Sequence, residues 1–335
     1  MKGVKKMEDL IVVQNVEKSF RIYEKESGFI NSLKSIIKPI FKDIKAVENV
    51  DFTIKRGDIV GYIGPNGAGK STTIKMLTGI LTPTNGEIKV FNKNPIENRK
   101  EISKKIGVVF GQKSQLWWDV PVIESFKLLK EIFKISSNDF NQRIEMYTDL
   151  LNMKELLKIP VRQLSLGQRM KCDLVASLLH DPEILFLDEP TIGLDVATKD
   201  ILRTFIKKMN LEKKITVFLT THDMQDVEKL CNRIILINKG KKVYDGDILD
   251  VKEKYISHRI LKVQFDKYYN ISDLFCLMKY ENLIIEDLDN YYKIFKFDYK
   301  KYSVADIIGE LMKNYKIIDF SSSELAIEDV IKQIS

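Results

Sequence analysis

A short glycine-rich segment limits what this chain can fold into more than any other feature, because it follows the spacing G-x-x-x-x-G-K-[ST]. The segment consists of Gly64, Pro65, Asn66, Gly67, Ala68, Gly69, Lys70, Ser71 and Thr72. An apolar run at 59–63 predicts a strand before it, and Ile74, Leu77 and Leu81 predict a helix after it. The backbone N–H groups of such a loop and the positive end of the helix dipole form a cradle for phosphate oxygens.

Two side chains of this segment have the chemistry to act on a nucleotide. The Lys70 ammonium is spaced to reach the β- and γ-phosphates, and the Ser71 hydroxyl is spaced to bind Mg²⁺. The sequence therefore predicts a nucleoside triphosphate and Mg²⁺ as ligands. The motif alone leaves open a protein that binds nucleotide with little hydrolysis.

An apolar strand that ends in two carboxylates adds the chemistry of hydrolysis. The run at 184–187 is followed directly by Asp188 and Glu189. At the carboxyl edge of a parallel sheet, Asp188 would face the Mg²⁺ held by Ser71, and Glu189 would face the attacking water. A buried strand with an acidic, solvated end is the alternative, and the phosphate-binding segment upstream argues against it.

The composition and charge restrict the class of protein. The chain has 335 residues, of which 44% are hydrophobic, which is enough for two globular domains. Its net charge of +7 is spread over scattered lysines, which favours proximity to an anionic membrane over nucleic-acid binding. The 3 cysteines lie far apart and suit neither a disulfide framework nor a metal site, so a reducing compartment is expected.

Membrane insertion and secretion are not expected from the sequence. No apolar run reaches roughly 18 residues, so another protein would have to span the bilayer if the chain works in transport. Residues 1–8 are charged and lack the apolar core of a signal peptide.

The pattern of apolar residues predicts the layers of the fold. Strand-like segments at 9–20, 46–62 and 87–91 predict an antiparallel layer beside the phosphate-binding core. Residues 121–158 change to helical periodicity.

The second half of the pattern predicts a parallel sheet and a small extra domain. Apolar strands at 184–187 and 215–219 flank an amphipathic helix, and this alternation is typical of a parallel sheet buried on both faces. Residues 234–237 and 241–244 predict a closing hairpin. Beyond about residue 255, short strand-like and helical pieces alternate, which indicates a small α/β unit.

A third motif makes the chain resemble a known family. Leu164-Ser165-Leu166-Gly167-Gln168 resembles the signature sequence LSGGQ of ABC ATPases, with Leu166 in place of the first glycine. The other motifs follow in the family's order. They are Gln112 at the Q-loop position, Gly193-Leu194-Asp195 at the D-loop and His222 at the switch histidine. The resemblance covers residues 9–250.

The resemblance implies an α/β P-loop NTPase fold. It would have a parallel core sheet, an antiparallel β layer, a helical subdomain at about 119–170 and a small α/β C-terminal domain at 255–335. No residue set in that last domain indicates chemistry.

The resemblance also implies a role for each matched residue of the nucleotide site. Residues 64–72 would bind the phosphates of ATP, and Gln112 and Asp188 would bind Mg²⁺ or its water. Glu189 would be the general base, and His222 would contact the γ-phosphate.

Other matched residues would complete that site from a second subunit. Ser165 and Gly167 resemble residues that close over ATP bound to the partner, and Gln168 and Asp195 are expected to bind nucleotide as well. Leu166 occupies a position that tolerates change, because the serine and the following glycine make the phosphate contacts.

An aromatic residue near the start of the domain is expected to stack on adenine. Phe20, which follows Lys18 and Ser19, matches its usual place in the family, and Tyr23 is the second candidate. Packing against its own strand is the alternative for either ring.

Residues 24–45 form an insertion that most members of this family lack. Its apolar residues are Phe29, Ile30, Leu33, Ile36, Ile37, Ile40 and Phe41, and Lys34, Lys38 and Lys42 lie on another face. The pattern predicts a basic amphipathic helix, which Pro39 should kink or end. It would lie at the membrane surface or against a transmembrane partner, or else pack on its own domain. Similar insertions occur in ATPases of polysaccharide exporters.

Two adjacent tryptophans, Trp117 and Trp118, follow the Q-loop position. Adjacent residues cannot share one face of a strand, so at least one ring is expected at the surface or at an interface. In the resembling ATPases this region receives the membrane subunit. Core packing explains one tryptophan, and contact with a partner is favoured for the other.

The chain therefore resembles the ATP-binding and ATP-hydrolysing subunit of an ABC transporter from the drug, lipid or polysaccharide export subgroup. The implied partners are a second ATPase subunit, with a homodimer favoured, and an integral membrane permease, at the cytoplasmic face of the cell membrane. No nucleic acid is expected.

Two other functions are weighed against this one. Soluble ABC ATPases act on ribosomes or DNA, but this chain carries one ATPase unit and no heptad run between Lys70 and Ser165. A regulatory module that does not turn over ATP conflicts with the intact pair Asp188 and Glu189.

Overall fold

The computed structural model describes residues 8–23, 41–111, 113–255, 258–274, 277 and 279–324. The chain divides into two compact units, Met1–Gly246 and Asp247–Ser335. Each unit has its own hydrophobic core. The division lies shortly before the boundary that the sequence predicts, with the first domain ending at residue 250 and the second beginning at residue 255.

The first unit contains two sheets and a set of helices. Its strands are β1 (Asp9–Tyr23), β2 (Phe41–Lys55), β3 (Ile59–Ile63), β4 (Asn85–Val90), β5 (Ile106–Phe110), β6 (Ile184–Asp188), β7 (Thr216–Thr221), β8 (Arg233–Asn238) and β9 (Lys241–Asp247). Its helices are α1 (Lys70–Leu77), α2 (Arg99–Ile102), α3 (Val122–Phe133), α4 (Ser137–Leu150), α5 (Leu166–Leu178), α6 (Val196–Lys213) and α7 (Met224–Leu230).

The central sheet positions the site. Its strand order is β5-β6-β7-β3-β8-β9, and the neighbours from β5 to β8 run parallel. Every residue of β3 and β7 is buried, as expected for strands covered on both faces. Because parallel strands end at the same edge, the segments that follow β3, β6 and β7 meet there. The predicted α/β P-loop fold is confirmed.

An antiparallel sheet with the order β2-β1-β4 shares its core with the central sheet. The Phe52 ring lies 5.8 Å from Tyr62 and 6.0 Å from Phe218 of the central sheet. The register of β1 and β2 shifts between Lys18 and Ser19, so Ala46 is the extra residue of a bulge. The bulge matters because Ala46 lines the functional site.

Two segments of the antiparallel sheet differ from the sequence pattern. The strand-like stretch 46–62 divides at Gly57, whose φ of +84° turns the chain from β2 in one sheet to β3 in the other. The helix predicted to reach Phe41 and Lys42 is wrong for these two residues, which belong to β2 and pair with β1. A proline precedes them, and cross-strand pairing replaces the helix. The rest of the insertion, 24–40, lies outside the described residues.

Three helices occupy the region where a helical subdomain is expected. On α3, the side chains of Val122, Phe126 and Leu129 are buried at helical spacing. Helix α5 is buried almost continuously from Met170 to Leu178, whereas its N-terminus is exposed. This helix is therefore held in the core at one end and presented to solvent at the other.

The second unit is a small α/β structure. It comprises α8 (Ile248–Tyr255), β10 (His258–Phe265), β11 (Ile284–Asp287), β12 (Tyr292–Asp298), α9 (Val304–Asn314) and β13 (Ile317–Glu324). The antiparallel strand order is β11-β12-β10-β13. Phe295 and Phe297 of β12 pack in one core with Ile307 and Leu311 of α9. The helix expected near the C-terminus lies outside the described residues.

Within the ranges described, no helix combines the length and the apolar character that crossing a membrane requires.

Candidate nucleotide-binding and catalytic site

The phosphate-binding segment forms the turn between β3 and α1. Gly67 and Gly69 have φ angles of +81° and +104°, which favour glycine. A Cβ atom at Gly69 would lie 2.3 Å from the carbonyl oxygen of Ala46, so no larger residue fits there. The sequence thus folds into a tight loop because glycines stand where the backbone reverses and where another strand approaches.

A cavity of about 200 Å³ opens beside this loop. It is lined by Ala46, Asn66, Gly67, Gly69, Lys70, Ser71, Thr72 and Glu189. Most of the predicted phosphate-binding residues are therefore gathered around one space, with a single carboxylate facing them.

Lys70 provides the positive charge of the cavity. Its side chain is 5% exposed, and its Nζ donates to the carbonyl oxygens of Gly64, at 2.8 Å, and Pro65, at 3.2 Å. The same nitrogen lies 3.4 Å from Oε1 of Glu189. A buried ammonium needs such oxygen partners, because burial of an unpaired charge is costly.

Ser71 and Asp188 meet as the sequence pattern leads one to expect. The Ser71 hydroxyl donates to Oδ1 of Asp188 at 3.0 Å, across the edge between α1 and β6. The Thr220 hydroxyl donates to the same carboxylate oxygen at 2.6 Å. Two hydroxyl groups therefore fix the Asp188 carboxylate at the mouth of the phosphate loop.

Glu189 has an unusual backbone conformation. Its φ of +52° is in the left-handed region, which is strained for a residue other than glycine. The conformation is held by its N–H, which donates to the Thr220 carbonyl oxygen at 2.9 Å. The side chain then lies between two cationic or protonatable groups, with Oε2 3.3 Å from Nδ1 of His222 and Oε1 near Lys70.

Comparison with known proteins identifies this arrangement. The family model for the ABC transporter matches residues 47–192, which include the phosphate loop and the Asp188–Glu189 pair. ABC transporter ATP-binding protein NatA of Bacillus subtilis (strain 168) is 33% identical over 212 residues, which cover 63% of this chain and 86% of that protein. The chain belongs to the ABC transporter family. It is an ATP-binding subunit of such a transporter and an ATPase.

Two other relatives of this ABC ATPase differ in the direction of transport that their names state. Methionine import ATP-binding protein MetN 2 of Enterococcus faecalis is 33% identical over 231 residues, 67% of this chain and 67% of that one. Nod factor export ATP-binding protein I of Cupriavidus metallidurans is 30% identical over 237 residues, 71% of this chain and 78% of that one. Sequence similarity therefore establishes the family without choosing between import and export.

A solved structure agrees in fold. It is the dimeric, post-hydrolysis state of an ATP-binding cassette bound to ADP and Pi, with a TM-score of 0.58 and 27% identity. The similarity covers 71% of this chain and 98% of the other.

The signature residues of this ABC ATPase begin helix α5. The Ser165 hydroxyl caps the helix by accepting from the N–H of Gln168 at 3.2 Å, and the Gln168 side chain accepts from the N–H of Ser165 at 2.9 Å. Ser165 and Gln168 are exposed, and neither they nor Gly167 line the phosphate cavity. The structure thus separates the signature motif from the cavity of its own chain.

Asp195 of the D-loop caps α6. Its carboxylate accepts from the N–H of Thr198 at 2.9 Å and from the Thr198 hydroxyl at 2.7 Å. The hydroxyl bond, followed by the backbone bond, lowers the pKa of Asp195 below its usual value. This helix-capping role was not predicted, and a contact of Asp195 with nucleotide stays a prediction.

Of the two predicted adenine-stacking residues and Gln112, the structure describes only Phe20 in full. Phe20 is half-buried, and its ring centroid lies 5.3 Å from Nζ of Lys18. The Tyr23 side chain and the whole of Gln112 lie outside the described residues. Stacking of Phe20 or Tyr23 on adenine therefore stays a prediction.

Sequence reasoning missed a buried ion pair that supports the catalytic segment. Arg203 of α6 and Asp226 of α7 are 3% and 0% exposed, and Nε of Arg203 donates to Oδ1 of Asp226 at 2.6 Å. The other oxygen of Asp226 accepts from the hydroxyls of Thr191 and Thr221. The pair thus joins the segment after Glu189 to the segment before His222.

Thr220 was also missed, although the sequence carries a signal for it. Polar residues at the end of an otherwise apolar buried strand need hydrogen-bond partners. Thr220 finds them in Asp188 and Glu189. The signal in the sequence is its position, because Thr220 stands at the carboxyl end of a buried strand that neighbours the strand of Asp188.

Proposed function

We propose that this chain hydrolyses ATP as one half of a dimer and thereby drives export through a separate membrane permease. The observation that carries the proposal is the arrangement around one cavity, which Lys70, Ser71 and Glu189 line. His222 contacts Glu189, and Asp188 accepts from Ser71. Phosphoryl transfer to water needs charge neutralisation and an aligned nucleophile, and these groups supply both.

The residues present fit a bound Mg²⁺ ion. Ser71 and Asp188 offer two oxygen ligands 3.0 Å apart beside the phosphate loop. Magnesium prefers oxygen ligands and is commonly held by one or two carboxylates together with substrate phosphates. In the described part of the chain, no group of three His, Cys, Asp or Glu side chains could hold a metal alone. When bound, the ion would neutralise phosphate charge, with Gln112 as a further ligand directly or through water.

Hydrolysis needs a base and a contact to the transferred phosphate. The Glu189 carboxylate would accept a proton from the attacking water, and His222, which already contacts that carboxylate, would hydrogen-bond the γ-phosphate. The Lys70 ammonium would stabilise the charge that develops on the phosphate oxygens.

The position of the signature motif supports a dimer. Ser165, Gly167 and Gln168 are separate from the cavity of their own chain, so they would reach ATP bound to a second copy. Asp195 would lie at the same interface. The solved relative that is dimeric with ADP and Pi supports this arrangement.

A membrane permease is proposed as the other partner. Trp117 and Trp118 are 43% and 51% exposed, which suits an apolar contact at the cytoplasmic face of the membrane. Export is proposed because the insertion at 24–45 and the C-terminal unit resemble those of exporter ATPases. No nucleic acid is needed for this function.

The test is a pull-down of the tagged full chain from detergent-solubilised membranes, followed by mass spectrometry. Recovery of a polytopic membrane protein would support the proposal and would deliver the subunit that selects the cargo. Recovery of ribosomal or DNA-associated proteins alone would retain the ATPase and overturn its role in transport.

A further inference from the structure

Helix α5 carries a buried carboxylate that none of the family motifs uses. Asp173 is 4% exposed and lies two turns after the signature serine. Its Oδ1 accepts from the Ser114 hydroxyl at 2.9 Å and from the N–H of Gln115 at 3.0 Å. In return, Nε2 of Gln115 donates to the Asp173 carbonyl oxygen at 2.9 Å. Three hydrogen bonds therefore tie this helix to the residues just after Gln112.

A second contact from the same helix reaches the tryptophan pair. The Arg169 guanidinium, one turn before Asp173, lies 5.6 Å from the centroid of the Trp118 ring. A cation over an aromatic face at this distance is attractive. Residues four apart lie on the same side of a helix, so Arg169 and Asp173 hold the segment 113–118 along one face of α5.

The buried carboxylate is costly, which argues that its position matters. Burial raises the pKa of Asp173 to about 6, although the bonds from Ser114 and Gln115 and the charge of Arg169 oppose the shift. An apolar side chain would fill the same space without that cost. What it could not do is accept the two bonds that fix Ser114 and Gln115.

We propose that Asp173 and Arg169 are positioning residues that fasten the segment 113–118 to the signature helix, so that the tryptophan pair and Ser165 move as one body. The inference rests on the proposed function, in which the tryptophans meet the permease and Ser165 meets ATP of the second subunit. A shift imposed at Trp118 is then transmitted along α5 to its exposed N-terminus.

Two variants of the full chain test the hydrogen bonds. Asp173→Asn keeps the Oδ1 acceptor and removes the charge, whereas Asp173→Leu has similar size and no acceptor. Turnover is measured for each variant alone. ATP-dependent dimerisation is measured for each variant combined with Glu189→Gln. Binding of a fluorescent ATP analogue reports on the phosphate loop, and thermal unfolding reports on the folded fraction.

Asp173→Leu is expected to lower turnover per folded molecule, and the dimer association constant, about ten-fold, because the part-buried hydrogen bonds from Ser114 and Gln115 lose their acceptor. Nucleotide affinity should change by less than about two-fold. Asp173→Asn should stay within about three-fold of the parent in turnover, dimerisation and nucleotide binding. This rescue by the amide separates positioning from a general loss of stability.

Two results would overturn the inference. One is unchanged turnover and dimerisation in Asp173→Leu despite lower stability, and the other is an equal loss in Asp173→Asn. If Asp173→Leu does not fold, Ser114→Ala against Ser114→Thr replaces it, with the same measurements and a loss in Ser114→Ala alone expected. Failure of the Glu189→Gln parent to dimerise would instead count against the proposed function.

Discussion

The two units of the chain differ in the polar groups that they bury. In the first unit, buried polar side chains surround the carboxyl edge of the central sheet, among them Lys70, Thr220, Thr221 and Asp226. In the second unit, Lys293 is the one buried polar or charged side chain among the residues that the structure describes. A buried polar group costs free energy unless it is fully bonded, so its concentration in one unit marks where the chemistry lies.

The cores of the units show the same difference. Phe295 and Phe297 of the second unit pack against Ile307 and Leu311 in an apolar core. Such a core sets shape and stability. Changes in the first unit should therefore alter both activity and stability, whereas changes in the second should alter stability alone.

The largest effect is expected for Lys70→Ala. Removal of the buried ammonium should lower ATP hydrolysis at least about a thousand-fold, roughly 4 kcal/mol, because the phosphate charge loses its neutralising partner. Steady-state phosphate release measures it. Lys75→Ala, an exposed lysine of the same helix, is the control and should retain normal activity. Activity in Lys70→Ala within about ten-fold of the wild type would refute the role of the cavity.

The next largest effect is expected for Asp226→Leu. The substitution removes the buried carboxylate of Arg203 and leaves this guanidinium with the half-exposed Asp200 and the more distant Asp223. It should lower the free energy of unfolding of the first unit by about 3 kcal/mol. Chemical denaturation measures the loss. The double variant Asp226→Leu/Arg203→Met removes both charges and should recover at least half of it. A single variant within about 1 kcal/mol of the wild type would contradict the account.

Asp173→Asn should raise stability in a pH-dependent way. The pKa of Asp173 is about 6 in the folded chain against an ordinary value of 3.8. Its carboxyl therefore favours the folded state below about pH 4, and this contribution is lost as the pH rises through about 6. The variant should match the wild type near pH 4 and exceed its free energy of unfolding by about 2–3 kcal/mol above pH 7. An equal difference at both pH values would count against the buried, ionised carboxylate.

The smallest effect is expected for Lys293→Met in the second unit. Lys293 pairs with Asp287 and lies 5.0 Å from the centroid of the Tyr268 ring. Asp287 is 40% exposed and stays hydrated when the lysine is removed, so stability should fall by about 1 kcal/mol or less. ATP hydrolysis should be unchanged. A clear loss of turnover would show that the second unit takes part in the chemistry.

The sequence predicted the fold and the phosphate loop because both depend on local patterns. Glycine and lysine spacing defines the loop, and alternation of buried strands with helices defines the parallel sheet. Ser71 meets Asp188 because parallel strands end at one edge, which is a rule of topology that needs no contact information.

The residues that support the site, such as Asp173, could not be predicted from the sequence. Their partners are distant in the chain and follow no fixed spacing. In the sequence, nothing distinguishes Asp173 from an ordinary polar residue of a helix. Its role is visible only from its hydrogen bonds with Ser114 and Gln115 in the structure. The left-handed conformation of Glu189 is equally unmarked in the sequence, since it comes from the hydrogen bonds of Thr220.

The central claim is tested most directly by Glu189→Gln, assayed together for ATP hydrolysis and for dimerisation with ATP. The amide keeps the size of the side chain and cannot accept the proton of the attacking water. We expect steady-state hydrolysis to be lost while ATP still binds, so that the variant accumulates as a closed dimer. Glu183→Gln, directly before the first residue of β6 and at the edge of the sheet opposite to Glu189, is the control and should hydrolyse ATP normally. Appreciable steady-state hydrolysis by Glu189→Gln would contradict its role as the general base.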